Sequence, residues 1–142
     1  MKKQTLLLVA NCFLAVIAAN PAHAQTYDVK VKVPFDFTMG DKTYRTGEYV
    51  FSTIKDTVVL KSSNGMPIAM ALANQVIGHS AVKGGKVVFD CYTSRCFVSE
   101  TWTPGEDRGR QLLQSRTEME LASQQTGKYL VLLGTNSQQS GQ

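Results

Sequence analysis

The chain has 142 residues, 43% hydrophobic and 18% charged, with 15 Lys and Arg against 11 Asp and Glu. That length suits one domain with its own core and is too short for two. The net charge of +4 is scattered, with no Lys/Arg cluster interleaved with aromatics, so nucleic acid is not an expected partner.

Residues 1–24 read as a secretory signal peptide. Met1-Lys2-Lys3 is a basic start, residues 5–19 form an apolar run, and Ala22-His23-Ala24 is a small-x-small cleavage site. Cys12 sits inside the apolar run rather than at its end, which excludes a lipid anchor. The run is shorter than the roughly 18–20 residues that span a bilayer, and no later stretch approaches that length, so no membrane span is expected in the mature chain. Export to the periplasm or the extracellular medium follows. The mature chain then begins at Gln25 and keeps two cysteines, Cys91 and Cys96.

From there the pattern is that of strands. Val29, Val31 and Val33 alternate with Lys30 and Lys32, giving a strand with one wet face. Pro34 has no N–H for a ladder and belongs at a bulge or edge, after which Phe35 and Phe37 resume the buried alternation. Gly40-Asp41 and Thr46-Gly47 supply turns around a short segment at 42–45. Residues 48–54 and 57–61 are rich in β-branched and aromatic side chains and form a hairpin across Lys55-Asp56. Asn64-Gly65 predicts a type I′ turn that places Pro67 opposite Ser62. The run 68–73 mixes helix-favouring Ala, Met and Leu with a large/small alternation that reads as strand. Residues 76–82 are expected to pair with 86–92 across Gly84-Gly85.

Residues 86–102, KVVFDCYTSRCFVSETW, form the best-defined hairpin. Two alternating runs flank Thr93-Ser94. If Tyr92 and Arg95 close the turn as a hydrogen-bonded pair, Cys91 meets Cys96 at the next position, where Cα atoms approach to roughly 4.5 Å and a disulfide fits. The ring is small, so its entropic contribution is about 2 kcal/mol. Counting onward, Phe89 meets Val98 and Val87 meets Glu100. Trp102 then shares the buried face with Val87, Phe89 and Val98, and Glu100 must either sit wet at the sheet's rim or find a cationic partner, for which Arg108 and Arg110 are the candidates. Thr103-Pro104-Gly105 ends the strand and residues 106–110 read as a charged loop. Ser115-Arg116-Thr117-Glu118 is a capping box opening one short helix to about Ser123. Residues 128–133 are a last apolar strand, and 135–142 a disordered polar tail with nothing to bury.

The motifs Val33-Pro34-Phe35-Asp36-Phe37, Gly47-Glu48-Tyr49, residues 97–105 (FVSETWTPG) and Gly109-Arg110 resemble those of a group of short, secreted, uncharacterised bacterial β-rich proteins. The match covers about residues 29–122. The resemblance implies a shared fold and carries no activity. Arg45-Thr46-Gly47 departs from the group's Pro-Ala-Gly, and the Cys91/Cys96 pair stands outside its pattern, which marks the disulfide as a local addition.

Chemical motifs are sparse. His79 would face Asp90 if Gly84-Gly85 were a two-residue turn, but no nucleophile elbow supplies the serine of a triad, and a surface pair is the plainer reading. Glu100, Glu106 and Asp107 bring three carboxylates together, yet adjacent Glu106 and Asp107 cannot both aim at one scissile bond, and their spacing does not build a calcium loop. The C-x₄-C pair lacks a second pair to complete a metal site. No metal or cofactor is expected. The candidate binding set is Trp102, Tyr92, Tyr44 and Tyr49, which would line a face for a sugar or apolar ligand unless they fill the core instead.

The expected architecture is all-β, a small antiparallel sandwich or partly closed barrel with one short C-terminal helix, spanning residues 25–134. The expected role is a non-catalytic envelope or extracellular protein that binds a small ligand or an envelope protein. A small secreted hydrolase and a self-assembling subunit joined edge to edge are the alternatives. N-terminal sequencing of the exported protein should read Gln25-Thr26-Tyr27; a start at Met1 or Cys12 would contradict the assignment.

Overall fold

The computed structural model describes residues 27–136; the signal peptide reading and most of the polar tail lie outside them. Ten strands and one helix follow in order: β1 (Asp28–Val33), β2 (Phe37–Met39), β3 (Lys42–Tyr44), β4 (Gly47–Ile54), β5 (Thr57–Ser62), β6 (Pro67–Ile77), β7 (Gly85–Cys91), β8 (Cys96–Trp102), β9 (Arg108–Leu112), α1 (Arg116–Gln124) and β10 (Lys128–Asn136). Eight of the strands close into an antiparallel barrel in the cyclic order β1-β4-β5-β6-β9-β8-β7-β10. The fold is all-β with a C-terminal helix, and the barrel alternative is the one realised. Strand β10 runs on through Thr135 and Asn136, which pair with Lys30 and Val29, so the strand outlasts the domain limit at 134 read from the sequence.

Closure depends on β8. One of its edges pairs with β7 throughout. The other is divided: Cys96 and Phe97 pair in parallel with β2, while Glu100, Thr101 and Trp102 pair with β9. The β2–β3 hairpin therefore folds in as a plug at one end of the barrel. Its Phe37 is buried, with ring centroids 5.1 Å from Tyr49, 5.6 Å from both Tyr44 and Phe89, and 6.4 Å from Phe51. The edge-to-face pairs with Tyr49 and Phe89 each add about 0.5–1.5 kcal/mol beyond the area buried. The interior rows Val29–Phe51–Leu60 and Val87–Phe89–Val98 complete the core.

Two turns differ from their sequence reading. The Asn64-Gly65 connection is a three-residue loop, in which Ser62 N–H donates to Met66 O and Gly65, at φ 84°, donates to Ser62 O. This is a turn closed by a left-handed glycine rather than type I′, and it sets Pro67 opposite Lys61, with a bulge between Leu60 and Lys61. Residues 78–84 form no turn joining β6 to β7. Instead β6 pairs with β9, the strand that the charge-rich run 106–110 had disguised as a loop.

The 86–102 hairpin keeps its expected tip. Tyr92 and Arg95 exchange two hydrogen bonds, and Cys91 and Cys96 are joined by a disulfide across Cα atoms 4.0 Å apart. Phe89 pairs with Val98 as expected, and there the register changes. A bulge at Ser99 sets Glu100 against Val88 and Thr101, not Glu100, against Val87. The extra residue turns the carboxylate outward, where it stays partly exposed and avoids the cost of burial, and sends Thr101 into the barrel. Trp102 accordingly leaves the core face. It stays 8% exposed on the outer wall, because its ring lies on Gly109 and Gly78; a Cβ at Gly109 would sit 2.6 Å from Trp102 Cδ2. Its Nε1 donates to Glu100 at 2.8 Å, and Lys86 Nζ lies 4.6 Å from the ring centroid. Glu100 is thus held by the indole, and the expected pairing with Arg108 or Arg110 is not formed. Arg108 stands 4.0 Å from Asp107 instead, and Arg110 donates to the Lys55 and Gly109 carbonyls.

This packing predicts coupled substitutions. Trp102→Ala should cost roughly 3–5 kcal/mol and Gly109→Ala roughly 1–3 kcal/mol by overpacking. The double variant should lose less than the sum, because the new methyl occupies part of the space the indole vacates. Denaturant unfolding of the four proteins checks this, and strict additivity would refute the contact.

Candidate functional site

The four aromatics of the candidate binding set do not share a face. Tyr44 and Tyr49 line the plugged end around Phe37; the Tyr49 hydroxyl donates to Arg45 O at 2.8 Å, while the buried Tyr44 hydroxyl has no partner. Desolvation, reinforced by Tyr49, pushes the Tyr44 phenol above its ordinary value. Tyr92 packs at the disulfide hairpin against Phe97 and Gly127. Trp102 lies on the outer wall at the other end. His79 is exposed in the 78–84 loop, whereas Asp90 pairs with Phe97 and Tyr129, so the His79–Asp90 arrangement is not built.

What the fold does assemble is a cleft of about 360 Å³ between α1 and the barrel wall, lined by Asp90, Ser99, Asn74, Gln111, Glu118 and Met119 among others. Its construction follows from the capping box. The Ser115 hydroxyl accepts from Glu118 N–H at 3.2 Å, and the Glu118 carboxylate returns to the Ser115 N–H. That return turns Glu118 under the helix, where it is only 4% exposed. Burial first, and then the nearby Asp90 carboxylate, raise its pKa from 4.5 to about 7; hydrogen bonds from Gln114 and the Ser115 backbone oppose the shift. Asp90 is raised as well, by desolvation and by Glu100, with the Ser99 hydroxyl working in the other direction. Among the described residues neither carboxylate has an ion-pair partner. Glu118 is engaged with its own helix terminus, and Asp90 faces it across the cleft.

A second feature adjoins the cleft. Strand β6 is 11 residues long, but β9 covers only residues 73–77 of it. The last bond on that side is Leu113 N–H to Leu72 O, after which the chain leaves for α1. Residues 67–71 of β6 therefore pair with β5 alone. Ala73 donates toward the β5 side, to Asp56 O, and Leu72 accepts from the other side. Strand alternation then places the N–H and C=O of Met70 on the open side. The side chains along this edge are large and apolar: Met70 is 73% and Leu72 65% exposed, Ile68 is exposed on the same strand, and Leu113 and Met119 are exposed where the chain leaves for α1. Neither feature was legible in advance, since the edge exists only because β9 is short and the cleft only because α1 folds back.

No protein-family model, curated protein or solved structure matches this chain. No helix among the described residues is long and apolar enough to cross a membrane.

The carboxyl pair yields a prediction with a defined sign. The folded protein holds the Glu118 proton up to about pH 7, whereas the unfolded chain releases it near 4.5, so stability declines as pH rises between those values and levels off above. Glu118→Gln, which keeps the cap acceptor without the charge, should raise stability by roughly 1–3 kcal/mol at pH 8 and leave it nearly unchanged at pH 4. Thermal unfolding at the two pH values measures the difference; an equal effect at both would exclude the ionisation.

Proposed function

We propose that the chain is an exported, non-catalytic binding protein that takes up an extended segment of another polypeptide along the open edge of β6. The observation that carries this reading is the edge itself, an unpaired backbone segment over residues 67–71 that bears exposed Ile68 and Met70 and is adjoined by exposed Leu72. Addition of a strand to a sheet edge draws affinity from main-chain hydrogen bonds and selectivity from alternate side chains, and both elements are present here. Export is supported by the leader-like first 24 residues and agrees with the Cys91–Cys96 disulfide, because disulfides persist in oxidising compartments.

The other roles have less behind them. Carriage of a small ligand inside the barrel would need space that Phe37, Phe51, Phe89 and Leu60 occupy. Hydrolysis would need a nucleophile and base in reach of one another, and His79 and Asp90 are not paired.

Selection from a library of displayed extended peptides tests the reading. The expected winners alternate apolar side chains, and their binding should fall at least about tenfold in Met70→Pro, which deletes one open-side N–H while the β5 ladder keeps its bonds. Failure to enrich any peptide, or binding indifferent to Met70→Pro, would overturn it.

A further inference from the structure

We infer that α1 is a hinged flap, seated on the barrel wall at acidic pH and released from it as the pH rises toward neutral. The inference goes beyond the strand-accepting edge and does not depend on it.

The first observation is what the helix buries. A surface helix ordinarily sinks an apolar stripe into the domain it covers. In α1 only Glu118 is buried, while Met119 is 51% exposed, Leu121 is half-buried and Ala122 is exposed. The side chain in the seat is a carboxyl, and no apolar seam holds the helix down once that carboxyl is charged.

The second observation is what surrounds the carboxyl. Strand β7 presents Asp90, whose Oδ1 is buried without a hydrogen-bond partner, and Glu100 on β8 acts on Asp90 in turn. The hairpin tip adds Tyr92, on which Glu118, Asp90 and Tyr129 all act, and Tyr129 on β10 pairs with Asp90. Strands β6, β8 and β9 line the cleft with the neutral Asn74, Ser99 and Gln111. The cations of this region are placed elsewhere. Lys86, on the same face of β7 as Asp90, lies over Trp102; Lys128 pairs with Cys91, on the opposite face of the sheet; Arg116 pairs with Glu120; and Arg95 lines a separate hollow with Thr117 and Glu120. Desolvation first, and then Asp90, hold the Glu118 proton up to about pH 7 in the seated helix, whereas in a released helix the side chain meets water and titrates near 4.5. The seated state binds the proton more tightly, so seating is strongest below about pH 4.5, weakens as the pH rises to about 7, and is level above that.

The third observation is that the helix can leave without dismantling the barrel. Residues 113–115 and 125–127 lie outside helix and strand on either side of α1. At the root, Leu113 N–H stays bonded to Leu72 O; at the far end the tie to the hairpin tip is an exposed side-chain bond, from Thr93 N–H to Gln125 Oε1 at 3.0 Å. Release opens the cleft and uncovers Asn74, Ser99 and Gln111 on the wall. It also frays the helix, because α1 is shorter than the roughly 12–15 residues that an isolated helix needs in water.

That fraying makes amide hydrogen exchange of the intact protein the test. Protection factors, corrected for the chemical exchange rate at each pH, are compared at pH 4 and pH 8. The α1 amides from Met119 to Gln125 should lose at least about tenfold in protection at pH 8 and come close to the free-peptide rate, while β7 and β8 stay protected by at least about a thousandfold. Glu118→Gln should keep the helix protected at pH 8. Asp90→Asn leaves the flap and its cap unchanged and should shrink the loss, whereas His79→Gln, in the exposed 78–84 loop, should show the wild-type loss. Protection of α1 that is the same at both pH values, or equal to that of β7 and β8 at pH 8, would overturn the inference, the second because the helix then opens only with the whole barrel. So would a loss that Asp90→Asn leaves unchanged or that His79→Gln abolishes.

Discussion

The structure depends on how β8 divides its second edge. A barrel closes only when every wall strand finds two neighbours, and closure is what removes exposed backbone from a sheet. Here one half of the edge goes to β9, which completes the ring, and the other half goes to β2, which carries the Phe37 plug across the end of the core. The division has a consequence on the far side of the seam. Strand β9 ends at Leu112, so β6 is covered over its second half and bare over its first. The filled interior and the open edge thus have one origin.

Polar groups on the outer wall are managed locally rather than by the core. Asp28, Ser52 and Lys61 form one buried or half-buried cluster on β1, β4 and β5, with Lys61 Nζ 3.1 Å from the Asp28 carboxylate and the Ser52 hydroxyl donating to the same group. Removing one member of such a cluster strands the others without their partner, which is why a low-exposure ion pair is costly to break even where its net contribution is small. Glu118 and Asp90 under α1 are the opposite case, two carboxyls facing each other with no cation, and burial there favours the protonated form. The Trp102 corner uses a third device. Glycines at 78 and 109 let the indole lie flat on the wall, and Glu100 and Lys86 engage its N–H and its face.

The proposed binding edge lies where these devices stop. Along β6 there is no carboxyl pair, ion cluster or covering loop, only backbone and large apolar side chains in an uncharged stretch of sequence. The backbone left unpaired over residues 67–71 of β6 gives the binding reading its direction.

The sequence by itself determined the elements whose signals are local. Period-two alternation specified β1, β4, β5, β7 and β8; Tyr92, Thr93, Ser94 and Arg95 specified the hairpin tip and with it the Cys91–Cys96 disulfide; Ser115 and Glu118 specified the start of α1. Only the tertiary structure decided what depends on partners distant in the chain. The bulge at Ser99 is invisible to alternation counting, because it is selected by the cost of burying Glu100 and by the fit of Trp102 on Gly109, a residue of the next strand. The charge-rich run 106–110 resembles a loop until β6 and β8 offer it two edges, and the four aromatics resemble one face until closure sends two to the plug, one to the hairpin tip and one to the outer wall. The open edge of β6 belongs to the same class. Local pattern says that a strand is present, but whether its second side is covered depends on where another strand, some forty residues later in the sequence, runs out of partners.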